Sequence, residues 1–210
     1  MNIVLSGFSG SIGKTIFNSF VSTEYNFFPY NMRNDRLEFE HDLENFDVFI
    51  HLASLNANLQ NQSHFQEELN LSKKALSFCI ERKIKHIIFF STSQIYSKKN
   101  SINGSIDEAA NIQPDNIYAS AKLECEKFLL EACKQYDIGL TILRLPPFVD
   151  LKSSTKVSKL IKFSSRLKVF PIFEGANKNR KSFLTKKNLI SVLEKALSRE
   201  QDNSDNLLVF

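Results

Sequence analysis

Met1-Asn2-Ile3-Val4-Leu5-Ser6-Gly7-Phe8-Ser9-Gly10-Ser11-Ile12-Gly13-Lys14-Thr15-Ile16-Phe17 opens the chain. Asn2–Ser6 is a short apolar run of the kind that forms a buried strand. Ile12, Ile16, Phe17, Phe20 and Val21 then recur with helical spacing. Between them stand Gly7, Gly10 and Gly13, a GxxGxxG turn. Glycines at such a junction permit a tight turn and let backbone N–H groups approach a pyrophosphate. The helix N-terminus adds a favourable partial positive charge. The spacing alone is a weak signal, and a plain structural turn competes with it. Its place between an N-terminal strand and a helix points to a dinucleotide site lined by Gly7, Ser9, Gly10, Ser11, Ile12 and Gly13.

Working outward, residues 26–32 read as a second strand and 47–52 as a third. Residues 65–82 are helical, with Leu69, Ala75, Leu76, Phe78 and Cys79 on the apolar side. A continuous apolar strand follows at 86–90. The polar stretch 98–116 contains Gly104 and Pro114 and reads as a loop. A long helix is expected over 117–136 and a buried strand over 140–143, stopped by Pro146 and Pro147. Continuous apolar strands separated by helices imply a parallel sheet covered on both faces. The expected fold is therefore α/β, a Rossmann-type doubly wound parallel sheet, with a dinucleotide-binding domain over 1–150. Beyond it a helix at 157–167, a strand at 169–173, a helix at 187–197 and a strand at 206–210 make 151–210 a small substrate-binding part.

Composition narrows the classes. Of the 210 residues, 42% are hydrophobic and 24% charged, which suits a soluble globular chain with a real core. With 19 Phe and no Trp, that core is filled mainly by phenylalanine and isoleucine. A net charge of +4 does not argue for nucleic acid and is compatible with an anionic small ligand. No run of about 18 apolar residues suggests a membrane span, and the first residues lack the basic start of a signal peptide. Cys79, Cys125 and Cys133 show neither metal spacing nor a CxxC. Buried reduced thiols, no metal and a cytoplasmic location are expected.

Tyr118-Ala119-Ser120-Ala121-Lys122 is a YxxxK sequence, and residues four apart share a helix face. A lysine ammonium beside a phenol stabilises the phenolate, so Tyr118 is expected to titrate below its reference of about 10. It could then exchange a proton with a substrate hydroxyl or carbonyl near neutral pH. The pattern alone is common on surface helices. Here the preceding strand ends in Phe90-Ser91-Thr92-Ser93-Gln94-Ile95-Tyr96. Hydroxyls at the carboxyl end of a parallel strand face the ligand crevice.

Six segments stand in an order that resembles the extended short-chain dehydrogenase/reductase superfamily, in its NAD-dependent epimerase/dehydratase group of nucleotide-sugar type. They are GFSGSIG, HLAS at 51–54, Asn70 in ELNLSKKAL, STSQIY, YASAK, and Ile142-Leu143-Arg144. PIFEGANKNRKSFL at 171–184 is similar to the segment that begins the family's substrate-binding part. The resemblance covers almost the whole chain. It implies that Tyr118 is the catalytic acid/base and that Lys122 holds the nicotinamide ribose and tunes Tyr118. Thr92 would position the substrate oxygen, with Ser93 and Gln94 beside it, and Arg180 would contact a nucleotide-sugar diphosphate. Leu52, Ala53, Ser54 and Asn70 would line the cofactor. A homodimer through the Tyr118 helix is implied as well.

In this fold an acid about 20 residues past the glycine turn holds the ribose of NAD, and a nearby arginine accommodates the NADP phosphate. Arg33 stands in that region, followed by Asp35, so NADP is expected in preference to NAD. The chain also departs from the family pattern. Ser93 and Gln94 occupy positions where dehydratases carry Asp and Glu, which favours reduction or epimerisation over water elimination. Pro147, which has no N–H donor, replaces an asparagine that often touches the sugar phosphate. Thr185-Lys186-Lys187-Asn188 lacks the expected aspartate, and family members commonly extend further. Two rivals stay open: a reductase of a smaller carbonyl compound, and a dinucleotide-binding sensor or regulatory subunit without turnover.

Overall fold

Strands that are apolar on both faces need cover on both faces, and the chain's helices supply it. The computed structural model describes residues 1–20, 24–38, 45–55, 62–96, 110–149, 156–167, 182–201 and 208–209. The chain runs β1 (Asn2–Ser6), α1 (Ser11–Ser19), β2 (Asn26–Asn31), β3 (Arg36–Leu37), β4 (Val48–His51) and α2 (Gln62–Glu81). It continues through β5 (His86–Thr92), a 3-10 turn (Ser93–Ile95), α3 (Ile117–Gln135), β6 (Gly139–Leu145), α4 (Lys156–Leu167), α5 (Lys186–Gln201) and β7 (Leu208–Val209). The strand expected at 169–173, Arg180 and most of the loop at 98–116 lie outside the described residues.

The strands form one sheet in the order β3-β2-β1-β4-β5-β6-β7. All neighbours are parallel except β3, which pairs antiparallel with β2 through Tyr30–Leu37 and Asn31–Arg36. At two residues β3 is too short to leave a periodic signal in the sequence. The turn before it makes it: Asp35 takes a φ of 56° and accepts a hydrogen bond from the Tyr30 hydroxyl. The chain builds outward from β1 to β2, then returns to lay β4 on the other side of β1. That reversal opens a crevice at the carboxyl ends of β1 and β4.

Side chains alternate between the faces with the strand period of two. Val4, Phe49, Ile87, Phe89 and Ile142 pack beneath α2 and α3, against Ala75, Cys79, Cys125 and Leu129. Ile3, Leu5, Ile50, Ile88 and Leu143 face the other way, onto Ile16 of α1 and Leu189, Leu193 and Leu197 of α5. All three cysteines are free and buried in the α2/α3 layer. The segment after β6 is tied to the start of α5, since Leu184 N donates to Pro147 O (3.0 Å) and Val149 N to Leu184 O (2.9 Å). Among the described residues no helix is long and apolar enough to cross a membrane.

Two closures in this fold depend on single residues. A Cβ on Gly13 would stand 2.4 Å from Gly7 O and 2.6 Å from Phe8 Cα, both backbone atoms. Gly13→Ala is expected to cost about 2 kcal/mol or more in urea denaturation. Gly10→Ala, whose Cβ would meet only Gly7 O at 3.3 Å, is expected to cost under about 1 kcal/mol. Equal losses would show that the helix does not depend on this approach. The second closure is polar. His51 lies buried between Ser6 Oγ (3.3 Å) and Ser72 Oγ (3.2 Å), and His86 lies against Thr141 Oγ1 (2.9 Å). Burial pulls their pKa values down to about 3 and about 4; the nearby Lys122 ammonium also lowers His51. The unfolded chain takes up these protons near the ordinary histidine value, whereas the folded chain does not. Stability should therefore fall as pH drops from about 6.5 towards 4, by about 1.4 kcal/mol per unit for each histidine at most. Urea denaturation at pH 7 and pH 5 measures this, and His86→Asn should reduce the difference.

Candidate active site

The Ser6 hydroxyl accepts from Leu52 N (3.1 Å) and Ala53 N (3.2 Å) and donates to Ile50 O (3.2 Å). One side chain thus binds the end of β1 to the segment leaving β4. Gly7 follows at a φ of 71°, and a Cβ there would stand 2.7 Å from Ala53 N. Gly10 N closes the turn onto Gly7 O (3.1 Å), and α1 starts one residue later. Among the described residues no side chain caps Gly10, and Ser9, Gly10 and Ser11 are exposed. The first amides of α1 are therefore left to an outside acceptor, at the edge where the strand order reverses. That donor set fits the diphosphate of a dinucleotide. Leu52, Ala53 and Ser54 are half-buried beside it. Arg33 is exposed on the turn after β2, at this same carboxyl edge, and its backbone N–H donates to Asn31 Oδ1 (3.1 Å).

Tyr118 and Lys122 lie one turn apart on α3. The start of α3 is held by Asn116, whose Oδ1 accepts from Ala119 N (2.8 Å) and whose Nδ2 donates to Gln94 Oε1 (3.2 Å). Gln94 N donates in turn to Thr92 Oγ1 (3.2 Å), which caps the 3-10 turn after β5. The strand end carrying Thr92 and the helix end carrying Tyr118 are therefore linked through Gln94 and Asn116. Thr92 is buried, Ser93 half-buried and Gln94 exposed. No sequence signal assigns Gln94 this clamping role.

Lys122 is 2% exposed, yet it is charged. Its Nζ donates to Glu68 Oε1 (2.9 Å) and to Phe90 O (3.0 Å) and stands 4.8 Å from the centre of the Phe89 ring. Burial acts to lower its pKa, but Glu68, with smaller help from Tyr118 and Cys125, offsets this and holds it above the usual lysine value. For Glu68 burial acts upward, and Lys122 with the Leu55 amide brings it below the usual carboxylate range. Glu68 was not among the residues expected here. Asn70, which was, is exposed on α2 and accepts from Gln66 Nε2 (3.4 Å). An acid two residues before it, facing a helical lysine, was the available signal.

The expectation for the Tyr118 phenol needs correction. Lys122 does act to lower its pKa, but burial acts more strongly in the opposite direction and Glu68 adds to burial. The phenol is held above its usual value and keeps its proton. The same helix carries a second ion pair, with a buried glutamate and a half-buried arginine. Arg144 meets Glu126 through Nε (3.1 Å) and NH2 (2.7 Å), and its NH1 donates to the Tyr96 hydroxyl (2.8 Å). The Ser91 hydroxyl also donates to Glu126. Among the described residues no acidic, histidine or cysteine group is arranged to hold a metal.

Comparison with known proteins places this geometry. The NAD dependent epimerase/dehydratase family matches residues 3–168. The uncharacterized UDP-glucose epimerase YtcB of Bacillus subtilis (strain 168) is 30% identical over 107 residues, 49% of this chain and 33% of that protein. The dTDP-D-glucose 4,6-dehydratase of Dictyostelium discoideum is 24% identical over 192 residues, 83% of this chain and 44% of that protein. The chain thus spans less than half the length of these curated relatives. The solved UDP-N-acetylglucosamine 4-epimerase from Bacillus cereus superposes with a TM-score of 0.78 at 19% identity, covering 100% of this chain and 76% of that one. This likeness shows that the Rossmann-type fold is shared. Because the family match runs from β1 through α4, across the glycine turn and the Tyr118 helix, the chain belongs to the NAD dependent epimerase/dehydratase family.

Proposed function

We propose that the protein is an NAD(P)-dependent nucleotide-sugar oxidoreductase, either a reductase or an epimerase, working in surface polysaccharide or deoxysugar biosynthesis. The observation that supports this best is the Thr92–Gln94–Asn116 link, which holds a strand-end hydroxyl beside the start of the helix that carries Tyr118 and Lys122. A bound nicotinamide supplies or takes up the hydride. The α1 amides and the glycine turn hold the diphosphate, and Leu52, Ala53 and Ser54 line the same edge. An ammonium has three N–H donors, and two of Lys122's are engaged by Glu68 and Phe90. The third would serve a ribose hydroxyl of the bound cofactor. Tyr118 gives its proton to the sugar oxygen as negative charge develops there, and the Thr92 hydroxyl steadies the same oxygen.

The protonated state of Tyr118 favours this acid role over proton removal. Ser93 and Gln94 bring no carboxyl group, and Gln94 is engaged by Asn116. Elimination of water, the reaction in the name of the Dictyostelium relative, lacks its acid and base at these positions. Structures similar to this chain have been solved with NADPH and with NAD, so the preference for NADP rests on Arg33. The proposal includes a substrate-binding part within 151–210 with Arg180 at the sugar diphosphate, a homodimer through the α3 side, and a cytoplasmic location.

Reduced-nicotinamide absorbance, followed with a panel of UDP-, dTDP- and GDP-keto-sugars, tests the reaction. Tyr118→Phe should lower turnover roughly 100- to 10,000-fold; full activity in this variant would remove Tyr118 from the mechanism. Turnover only with small carbonyl compounds would favour a reductase of those instead, and cofactor binding without any turnover would favour a sensor. Fluorescence titration should show tighter binding of NADPH than NADH. Arg33→Ala should weaken NADPH roughly tenfold, the loss of one charge-assisted contact, and leave NADH unchanged. A wild-type preference for NADH would refute the role given to Arg33.

A further inference from the structure

Lys122 and the backbone leaving β4 are separate in sequence, yet one side chain joins them. Glu68 Oε1 takes the Lys122 ammonium at 2.9 Å, and Glu68 Oε2 accepts from Leu55 N at 2.9 Å. The Ser54 side chain also bonds this carboxylate. Both ionic side chains are 2% exposed. Leu52 and Ala53, just before Ser54, are held by Ser6 and pressed against Gly7. A continuous chain of contacts therefore runs from the glycine turn through residues 52–55 and Glu68 to Lys122.

We propose that Glu68 is a positioning residue of the active site: it fixes Lys122 against the cofactor-lining segment 52–55 and offsets part of the lysine charge beside Tyr118. This rests on the roles given to Tyr118 and Lys122 above and deepens them. A lysine acting alone on a neighbouring phenol drives it towards phenolate. A lysine paired with a buried carboxylate does so less: burial is the main reason this phenol keeps its proton, and Glu68 adds to it against the pull of Lys122. The site at rest is then loaded with an acid, the state in which carbonyl reduction begins. The oxidative half of an epimerase cycle would have to start from the opposite state. Fixing two of the ammonium's three protons also fixes the direction of the third, so the lysine offers a ribose a single oriented donor.

Among the described residues the titratable groups facing the pair are few. Tyr118 and Cys125 approach from α3, and His51 approaches from β4. Burial pushes the Cys125 thiol up to about 11 and pulls His51 down to about 3, so both are neutral near pH 7. Glu68 is thus the group whose removal should change the Tyr118 titration.

The test uses the full chain and three readouts. Tyrosine absorbance is followed against pH, with Tyr118→Phe as the reference that isolates Tyr118. In Glu68→Gln the Tyr118 midpoint should move to lower pH, and in Glu68→Asp, which keeps the charge, it should stay near the wild-type position. NADPH titrated by fluorescence should bind Glu68→Gln about tenfold more weakly, from the loss of lysine positioning. An unmoved Tyr118 midpoint in folded Glu68→Gln overturns the proposal. Should Glu68→Gln fail to fold, NMR of the wild-type lysine Nζ groups decides instead. Lys122 titrating above the surface lysines supports the pair, and Lys122 titrating below them overturns it. A wild-type protein that binds neither NADPH nor NADH would refute the proposed function itself. That result is distinct from an unchanged Tyr118 midpoint.

Discussion

An ammonium enclosed between two helices and a sheet stays charged only when a carboxylate is enclosed with it. In this protein that constraint falls on Lys122, and Glu68 meets it. Each ion would cost several kcal/mol to bury alone, so the pair acts as a unit: removing one partner is expected to cost about 3–5 kcal/mol. Because the lysine comes from α3, the glutamate from α2 and the Phe90 carbonyl from β5, three elements are brought into register by one charge. The Arg144–Glu126 pair does the same for α3 and β6, with Ser91 and Tyr96 completing its hydrogen bonds. Geometry of this kind contributes little net stability beyond what apolar packing could supply. Its effect is to tie the Tyr118 helix to the sheet and to α2 at two defined points.

The polar groups lie where the alternation of the strands puts them. Phe49, Phe89 and Ile142 lie in the apolar layer under α2 and α3, and two residues on in each strand come His51, Ser91 and Arg144. The same face therefore changes from apolar to polar as it reaches the carboxyl edge, where the crevice lies. Ser91 and Arg144 are direct neighbours across β5 and β6 and share Glu126. Below this layer the packing is aromatic, with Tyr30, Phe49 and Phe78 rings 4.5–5.9 Å apart. Above it the chain exposes the uncapped start of α1.

On the other face the glycine turn depends on near contact instead of charge. Gly7 and Gly13 leave no room for a Cβ, so the turn, the end of β4 and the first helix meet backbone to backbone. Ser6 supplies the hydrogen bonds that hold this meeting in place. The two devices converge at residues 52–55, which touch the glycine turn on one side and Glu68 on the other.

Much of this was legible in the chain itself. Strand runs such as IIFF at 87–90 and the helical spacing of Ile12 and Ile16 carry their own signal, because periodicity is local and burial is uniform along a core strand. The glycine turn and the YxxxK pattern were readable for the same reason: each is a short segment whose geometry one element determines. The short β3, the Gln94–Asn116 clamp and the return of Leu184 to Pro147 were not, since each needs a partner from elsewhere in the fold. The clearest case is Tyr118. From sequence the phenol had only Lys122 beside it and should have tended to lose its proton. In the folded chain α2 brings Glu68 against that lysine and burial removes the water, and the phenol keeps its proton. The sequence by itself determined which groups could do chemistry and on which elements they ride. Only the tertiary structure decided their charge, because an ionisable group answers to whatever charges and solvent surround it, and most of those come from distant parts of the chain.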